Sequence, residues 1–401
     1  MDNQQPYLLE DSLSEYCHTD LAFPEHPFRS LYLNFFFIWT PTPKLTTPSR
    51  KTIIQEQDDK DYRHQLKELT MPKPRHTQIS LEATPYYHCA SRCVRRAFLC
   101  GKDTHNGQCY EHRRQWIEDK LLALGNVFAI DICAYAIMSN HYHVVLHIDE
   151  AQADNWSKKE VVDRWHQLFA GNLISQKFSK GESLSRPELA LLAISVKVWR
   201  SRLTNISWLM RILNEHIARE ANAEDNCTGR FWEGRFKSQA LLDDAALAAC
   251  MAYVDLNPVR AAMAKTPETA EHTSIKRRFE QATQSNHPEH IKQQACGLMP
   301  FAGHPRKTMP KGLPFRLMDY LELVDWSGRV IRDDKRGAIP AHYPSIIDRL
   351  GIEPQHWLHL TLHYESAFKG LVGCVDKLKR VCQSLGYRRT PNLRRCAQFF
   401  P

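Results

Sequence analysis

Long apolar runs are missing from this 401-residue chain. The longest, Leu31–Thr40 (LYLNFFFIWT), is half the roughly 20 residues that a membrane-spanning helix needs. No basic segment followed by an apolar one opens the chain, so a soluble, cytoplasmic protein without a membrane partner is expected. A GxxxxGKS or GxxxxGKT loop is absent, which removes the usual cradle for a nucleotide cofactor. The HExxH motif of zinc hydrolases is absent too, and no internal repeat is present. A large excess of either charge is lacking: 53 Lys and Arg stand against 45 Asp and Glu, a net +8 that permits an anionic partner without demanding one. With 43% hydrophobic and 24% charged residues the balance is globular, which excludes wholesale disorder and a fibrous protein. The length allows about two to three domains of roughly 150 residues.

The 12 cysteines are scattered rather than spaced as a disulfide framework. They read most simply as reduced thiols, several of them buried as small apolar side chains. Cys89, Cys93, Cys100 and Cys109 cluster with His88, His105 and His112, but without the C-x2-C spacing of common zinc modules. Structural zinc is the weaker reading.

Residues 1–70 mix acidic segments with Pro24, Pro27, Pro41 and Pro43 and sustain no helical or strand period. They read as a poorly ordered extension, or as the product of a start placed too far upstream. Regularity begins near Pro85. Tyr86–Arg92 (YYHCASR) is a plausible first strand, and His112–Leu124 carries a helical stripe of Trp116, Ile117, Leu121 and Leu124. Val127–Met138 and His141–Ile148 are apolar, β-branched runs split by Ser139-Asn140, a hairpin signal. Residues 151–200 look like a charged helical insertion broken near Gly181 and Pro187. A helix resumes at Ser207, its possible N-cap; Ser238–Leu242 reads as a strand, and Asp243 or Asp244 caps the helix that follows. The order strand, helix, strand, strand, helix, strand, helix predicts an α+β fold, a ferredoxin-like antiparallel sheet with helices on one face. Residues 265–310 read as a polar linker. Residues 311–401 read as a small, mainly helical accessory region ending in a basic tail from Lys377 to Arg395.

Chemistry concentrates in two places. In Asn140-His141-Tyr142-His143 the two histidines are two apart, so on a strand both imidazoles project from one face and can hold one divalent ion. The same short pattern also suits two satisfied sheet histidines. In Met251–Ala261 (MAYVDLNPVRA), Tyr253 and Asn257 are four apart, a spacing that stacks them on one helix face. Tyr253 can equally be a core residue. Asn257-Pro258 can equally be an N-cap with its N1 proline, and a residue before proline is biased out of helical geometry.

His-x-His on a strand, then GRFWEGRFKS, then a tyrosine helix ending in YVDLNPVRA, resembles the single-tyrosine HUH transposases. Within them it most resembles the REP-associated tyrosine transposases. The resemblance covers roughly residues 71–264. It implies a metal-dependent nuclease and strand transferase, an HUH endonuclease acting on single-stranded, hairpin-forming repeat DNA. It also implies Mg²⁺ or Mn²⁺ on His141 and His143, with Asn257 completing the metal shell, and Tyr253 as nucleophile.

The residue types suit that chemistry. A phenol with a pKa near 10 attacks poorly at neutral pH, and a divalent ion polarising the phosphate compensates. The product ester, a 5′-phosphotyrosine, stores the bond energy, so rejoining needs no nucleotide. Arg92, Arg95 and Arg96 follow the first strand, while Arg230, Trp232, Arg235, Phe236 and Lys237 interleave cations and rings. That mixture suits single-stranded DNA, with cations on phosphates and rings under bases. For any one of these residues a solvated loop with packed aromatics fits about equally well; as a cluster beside the histidine pair, DNA contact is favoured. The competing reading is a non-catalytic DNA-binding or regulatory protein that keeps the fold, and a homodimer is one assembly open to either. A chain begun at Met71 is expected to fold and to keep full activity, checked by circular dichroism and a DNA-cleavage assay; failure to fold would refute it.

Overall fold

The structure is a computed structural model that describes residues 79–94, 99–102, 107–303, 310–331 and 343–400. The expected extension, 1–70, and Arg95 and Arg96 lie outside the described residues. The architecture is α+β, with a five-stranded mixed sheet in the order β2-β3-β1-β4-β5.

β1 (Tyr86–Arg92) runs up the middle of the sheet, antiparallel to β3 (His141–Ile148) on one side and to β4 (Lys237–Leu241) on the other. β2 (Ile130–Ile137) pairs antiparallel with β3, with a register shift between Ile132 and Ala134. The connection β1 to β2 passes through α1 (Arg113–Val127). The connection β3 to β4 carries the expected insertion, which comprises α2 (Glu150–Asn155), α3 (Lys158–His166), α4 (Leu173–Ser179) and α5 (Arg186–Leu203). It then runs through α6 (Ile206–Glu224). The break expected near Gly181 and Pro187 is the gap between α4 and α5; Pro187 lies in the first turn of α5, where Ser185 and Glu188 form a capping box. α6 is capped by Asn205, whose side chain accepts from the Ser207 N–H, so Ser207 is not the cap.

Side chains alternate along a strand, which assigns the two faces. Tyr142 points to one face, where its hydroxyl donates to Asn214 Oδ1 on α6 at 2.7 Å. Tyr135 points the same way and donates to Glu118 on α1 at 2.6 Å. Both crossover helices therefore share a face, as expected. The other face, to which His141 and His143 point, is not open. It is covered by α7 (Asp244–Asp255), whose ten residues from Ala246 to Asp255 are all buried. Helices thus lie on both faces, because an apolar α7 cannot be left in water.

Two further expectations change. Residues 265–310 are not merely a linker: α9 (Ser274–Gln284) docks on β2, the Tyr135 N–H donating to Ser274 Oγ at 2.8 Å. The Arg278 side chain, 1% exposed, donates there to the Cys133 and Met299 carbonyls. Residues 311–401 are built into the same unit instead of standing apart. This region contains α10 (Leu317–Ile331), α11 (Ile346–Leu350), α12 (Pro354–Ala367), α13 (Val375–Ser384) and α14 (Leu393–Phe399). α12 packs on α7, with Tyr364 Oη donating to the Ala246 carbonyl at 3.2 Å. β5 (Leu371–Val372) pairs parallel with β4, which makes the sheet mixed rather than antiparallel. Asp243 fastens this junction twice. Oδ1 caps α7 at the Ala246 N–H and Oδ2 accepts from the Cys374 N–H at 2.6 Å. Gly373 permits the approach, since a Cβ there would lie 2.7 Å from Asp243 Oδ2.

Asp255 ties α7 to the rest from within. It is fully buried, accepting from Ser274 Oγ at 2.5 Å and Tyr320 Oη at 2.6 Å. Replacing Tyr320 by Phe leaves Oδ2 without that donor, so the variant is expected to lose about 1–3 kcal/mol of stability. Urea unfolding checks this; an unchanged midpoint would mean that Asp255 does not need the tyrosine.

Candidate active site

The site grows out of sheet register. Arg92 lies directly opposite His141, Ala90 opposite His143, and on its other side Ala90 faces Lys237. Lys237, Ala90 and His143 therefore form a row across three strands, with the small Ala90 in the middle leaving space above the sheet. A cavity of about 210 Å³ occupies that space, its walls including Ala90, Arg92, His141, Arg235, Lys237 and Glu365. The next row is Gln239, His88 and Val145.

Hydrogen bonds across these rows set the imidazole tautomers. Gln239 Nε2 donates to the Phe368 carbonyl at 2.6 Å, which turns Gln239 Oε1 toward His88 Nδ1, also at 2.6 Å. His88 must donate from Nδ1, so a neutral His88 accepts at Nε2, and His143 donates to it from Nδ1 at 2.9 Å. His143 Nε2 is thereby left as a bare lone pair; it is buried and has no hydrogen-bond partner. His141 follows the same logic one step shorter: its Nδ1 faces Asn140 Oδ1 at 2.6 Å, which leaves Nε2 unprotonated. The two rings stand edge to face with centroids 4.9 Å apart.

Burial keeps both rings uncharged. It pushes the His141 pKa down to about 4, with Arg92 adding to the effect. It drives His143 well below the ordinary value, reinforced by His88 and His141. His88 is also lowered by burial. Neutral imidazoles with Nδ1 protonated and Nε2 bare are what metal coordination requires, so the histidine pair fits a divalent ion. Among the described residues no group of three or more His, Cys, Asp or Glu side chains is placed so that it could hold a metal ion.

Tyr253, from the last turns of α7, completes the site. Its ring is 5% exposed and stands edge-on to His143, centroids 5.7 Å apart. Arg260 lies flat over it, 4.1 Å from the ring centroid. Its hydroxyl donates to Glu365 Oε2 at 3.5 Å. Burial raises the phenol to a pKa of about 12, with Arg260 pulling down and Glu365 pushing up.

Asn257 is placed differently from the expectation. α7 ends at Asp255, and a separate turn, α8 (Asn257–Arg260), begins at the residue before proline. Asn257 Oδ1 accepts from Arg260 Nη2 at 2.7 Å, and the side chain makes no capping bond. Its oxygen is thus engaged in holding Arg260 over Tyr253.

The basic and aromatic candidates divide. Arg92, Arg235 and Lys237 converge on the cavity beside His141. Phe236 lines a neighbouring cavity of about 690 Å³ with His88, Lys369 and Tyr387. Arg230 instead folds its own loop, donating from Nε to the Trp232 carbonyl at 2.8 Å. Trp232 is packed: its Nε1 donates to the Asn214 carbonyl at 2.8 Å and its ring meets Tyr142, so little ring face remains for a base. Two residues of the site carried no signal of this role in the sequence, where His88 stood out only beside the cysteines as a zinc candidate. His88 stands inside a cysteine-containing strand, and only the register brings it to His143. Glu365 is about a hundred residues from Tyr253 in sequence, on a helix whose docking nothing local announces.

No family model matches the chain, and no curated protein matches it. Among solved structures it is similar to one described as the REP-associated tyrosine transposase bound to a REP hairpin. The identity is 11%, the TM-score 0.32, and the match covers 53% of this chain and 87% of that one. The site therefore rests on the side-chain geometry alone. No described helix is long and apolar enough to cross a membrane.

The neutral histidines make stability pH-dependent. Each is deprotonated when folded and free to take up a proton near pH 6.5 when unfolded. As pH falls from about 6.5 toward 4 the unfolded chain binds more protons, so stability falls through that window. The melting temperature is expected to drop by several degrees between pH 7 and pH 5, and replacing His141 by Gln is expected to shallow the drop. Thermal melts across pH check both; a flat profile would show that the imidazoles are not buried neutral.

Proposed function

We propose that this protein is a DNA strand transferase, a transposase that cuts single-stranded, hairpin-forming DNA through Tyr253. The observation that carries the proposal is the meeting of a phenol with an oriented lone pair: Tyr253 stands against His143, whose buried Nε2 has no partner. A buried ring nitrogen without a protein partner suits a metal ligand.

In this reading the scissile phosphate enters the cavity between Arg92, Arg235 and Lys237, whose charges bind and orient it. His141 and His143 would hold a divalent ion, Mg²⁺ or Mn²⁺, which when bound polarises the phosphate and offsets charge at the transition state. The Tyr253 oxygen attacks phosphorus as the P–O3′ bond breaks, giving a 5′-phosphotyrosine and a free 3′-hydroxyl. The phenol proton is released as attack proceeds and the departing O3′ takes one up to become the hydroxyl, so the step is proton-neutral; with a pKa raised to about 12 the phenol is protonated throughout the neutral range. Arg260, stacked on the ring, favours the developing phenolate. Attack by a 3′-hydroxyl on the phosphotyrosine reverses the chemistry and rejoins DNA without a nucleotide cofactor. The neighbouring cavity, walled by Phe236 and Tyr387, is large enough to receive an unstacked base.

The test is incubation with labelled hairpin DNA and Mn²⁺, read on a denaturing gel. Wild-type protein is expected to form a covalent adduct that disappears on chelation of the metal. Tyr253→Phe is expected to form none while still binding the DNA. An adduct formed by Tyr253→Phe would remove the tyrosine from the mechanism. Metal-independent binding with no cleavage by the wild type would favour the non-catalytic reading.

A further inference from the structure

Two hydrogen-bond acceptors face each other in the site. The bare lone pair of His143 Nε2 lies 3.9 Å from Glu365 Oε2, with no partner on the nitrogen. The carboxylate is held there deliberately by its surroundings. Lys237 pairs with Oε1 at 3.2 Å, which turns Oε2 inward toward His143 and Tyr253. A cation between them would reconcile the two facing acceptors.

We propose that Glu365 is a carboxylate ligand of the divalent ion held by His141 and His143, in the place expected of Asn257. The proposal rests on the reading of that histidine pair as a metal site. Four observations support it. First, the Asn257 oxygen is taken by Arg260. Second, two donors each about 2.0–2.1 Å from one ion lie about 3–4 Å apart, depending on their angle, which accommodates the observed pair. Third, His141 and Glu365 share the walls of one cavity. Fourth, Mg²⁺ and Mn²⁺ are hard ions that favour an anionic oxygen over an amide, and two histidines with one carboxylate form a recurrent ligand set.

The carrier is rigid enough for the role. α12 is held to α7 by the Tyr364 hydroxyl and to α8 by Arg260 Nη1, which donates to the Thr361 carbonyl at 2.9 Å. Its C-terminal end is capped by Arg395, which donates to the Ser366 carbonyl at 3.0 Å. The residue just beyond the helix, Phe368, supplies the carbonyl that starts the tautomer relay to His143. The same segment would then orient one ligand and donate another.

Metal binding to the full chain without DNA tests this, read from the loss of the free Mn²⁺ signal in electron paramagnetic resonance. Glu365→Gln is nearly isosteric and is expected to weaken Mn²⁺ binding by at least about tenfold. Glu365→Asp, which keeps the charge, is expected to recover part of the loss, and His143→Asn to weaken binding as Glu365→Gln does. Thermal melts establish that each variant is folded. Wild-type affinity in Glu365→Gln, with binding weakened in His143→Asn, overturns the carboxylate ligand and leaves the histidine site standing. Binding that neither substitution alters overturns both readings. Unchanged Mn²⁺ affinity with faster DNA cleavage in Glu365→Gln also overturns the proposal, since the carboxylate would then be a plug over the tyrosine.

Discussion

The site depends on the hydrogen bond between His88 Nε2 and His143 Nδ1. It joins the central strand to its neighbour above the sheet, and its direction is dictated from outside, by a glutamine on β4 and a carbonyl after α12. Because a neutral imidazole has one donor and one acceptor, fixing one end of the chain fixes the other. The lone pair at His143 Nε2 is therefore a consequence of how the C-terminal segment docks. Burial adds the second half of the constraint by keeping the rings uncharged.

The same docking explains why a chain with an ordinary charge balance produces a concentrated site. Ala90 is the one small side chain in a row between Lys237 and His143, and the cavity above it gathers Arg92, Arg235 and Lys237. Glu365 offsets part of that positive charge and is itself held by Lys237. Asp255, two residues after Tyr253, plays the opposite part. It is raised to a pKa of about 6 by burial and is satisfied by Ser274 and Tyr320. It anchors the helix that presents the tyrosine without touching the cavity.

Much of the sheet was legible because its signals are local. The strands read at Tyr86–Arg92 and His141–Ile148, the second from its apolar, β-branched run, match the observed ones residue for residue. Asp243 caps its helix through an N-terminal signature that needs no tertiary context. The apolar richness of α7 was equally plain, but a helix buried on every side does not say which face of a sheet it will cover. Residues 265–310 read as a linker because their composition is polar; the docking of α9 depends on a few side chains, Ser274 and Arg278 foremost, that meet β2. Trp232 read as a base-stacking ring for a related reason. Composition cannot distinguish an aromatic that waits for a ligand from one that has found Tyr142 and Asn214.

By itself the amino-acid sequence determined the parity of His141 and His143, the strand on which they sit, and the helix that carries Tyr253. These follow from periods of two and 3.6 residues, which are properties of the backbone. Only the tertiary structure decided that His88 hands its tautomer to His143, that Asn257 serves Arg260, and that Glu365 faces both the histidine and the tyrosine. Those relations join residues up to about a hundred and fifty positions apart. Register and helix docking create them, through burial energies summed over whole elements, and no short stretch of sequence records that sum.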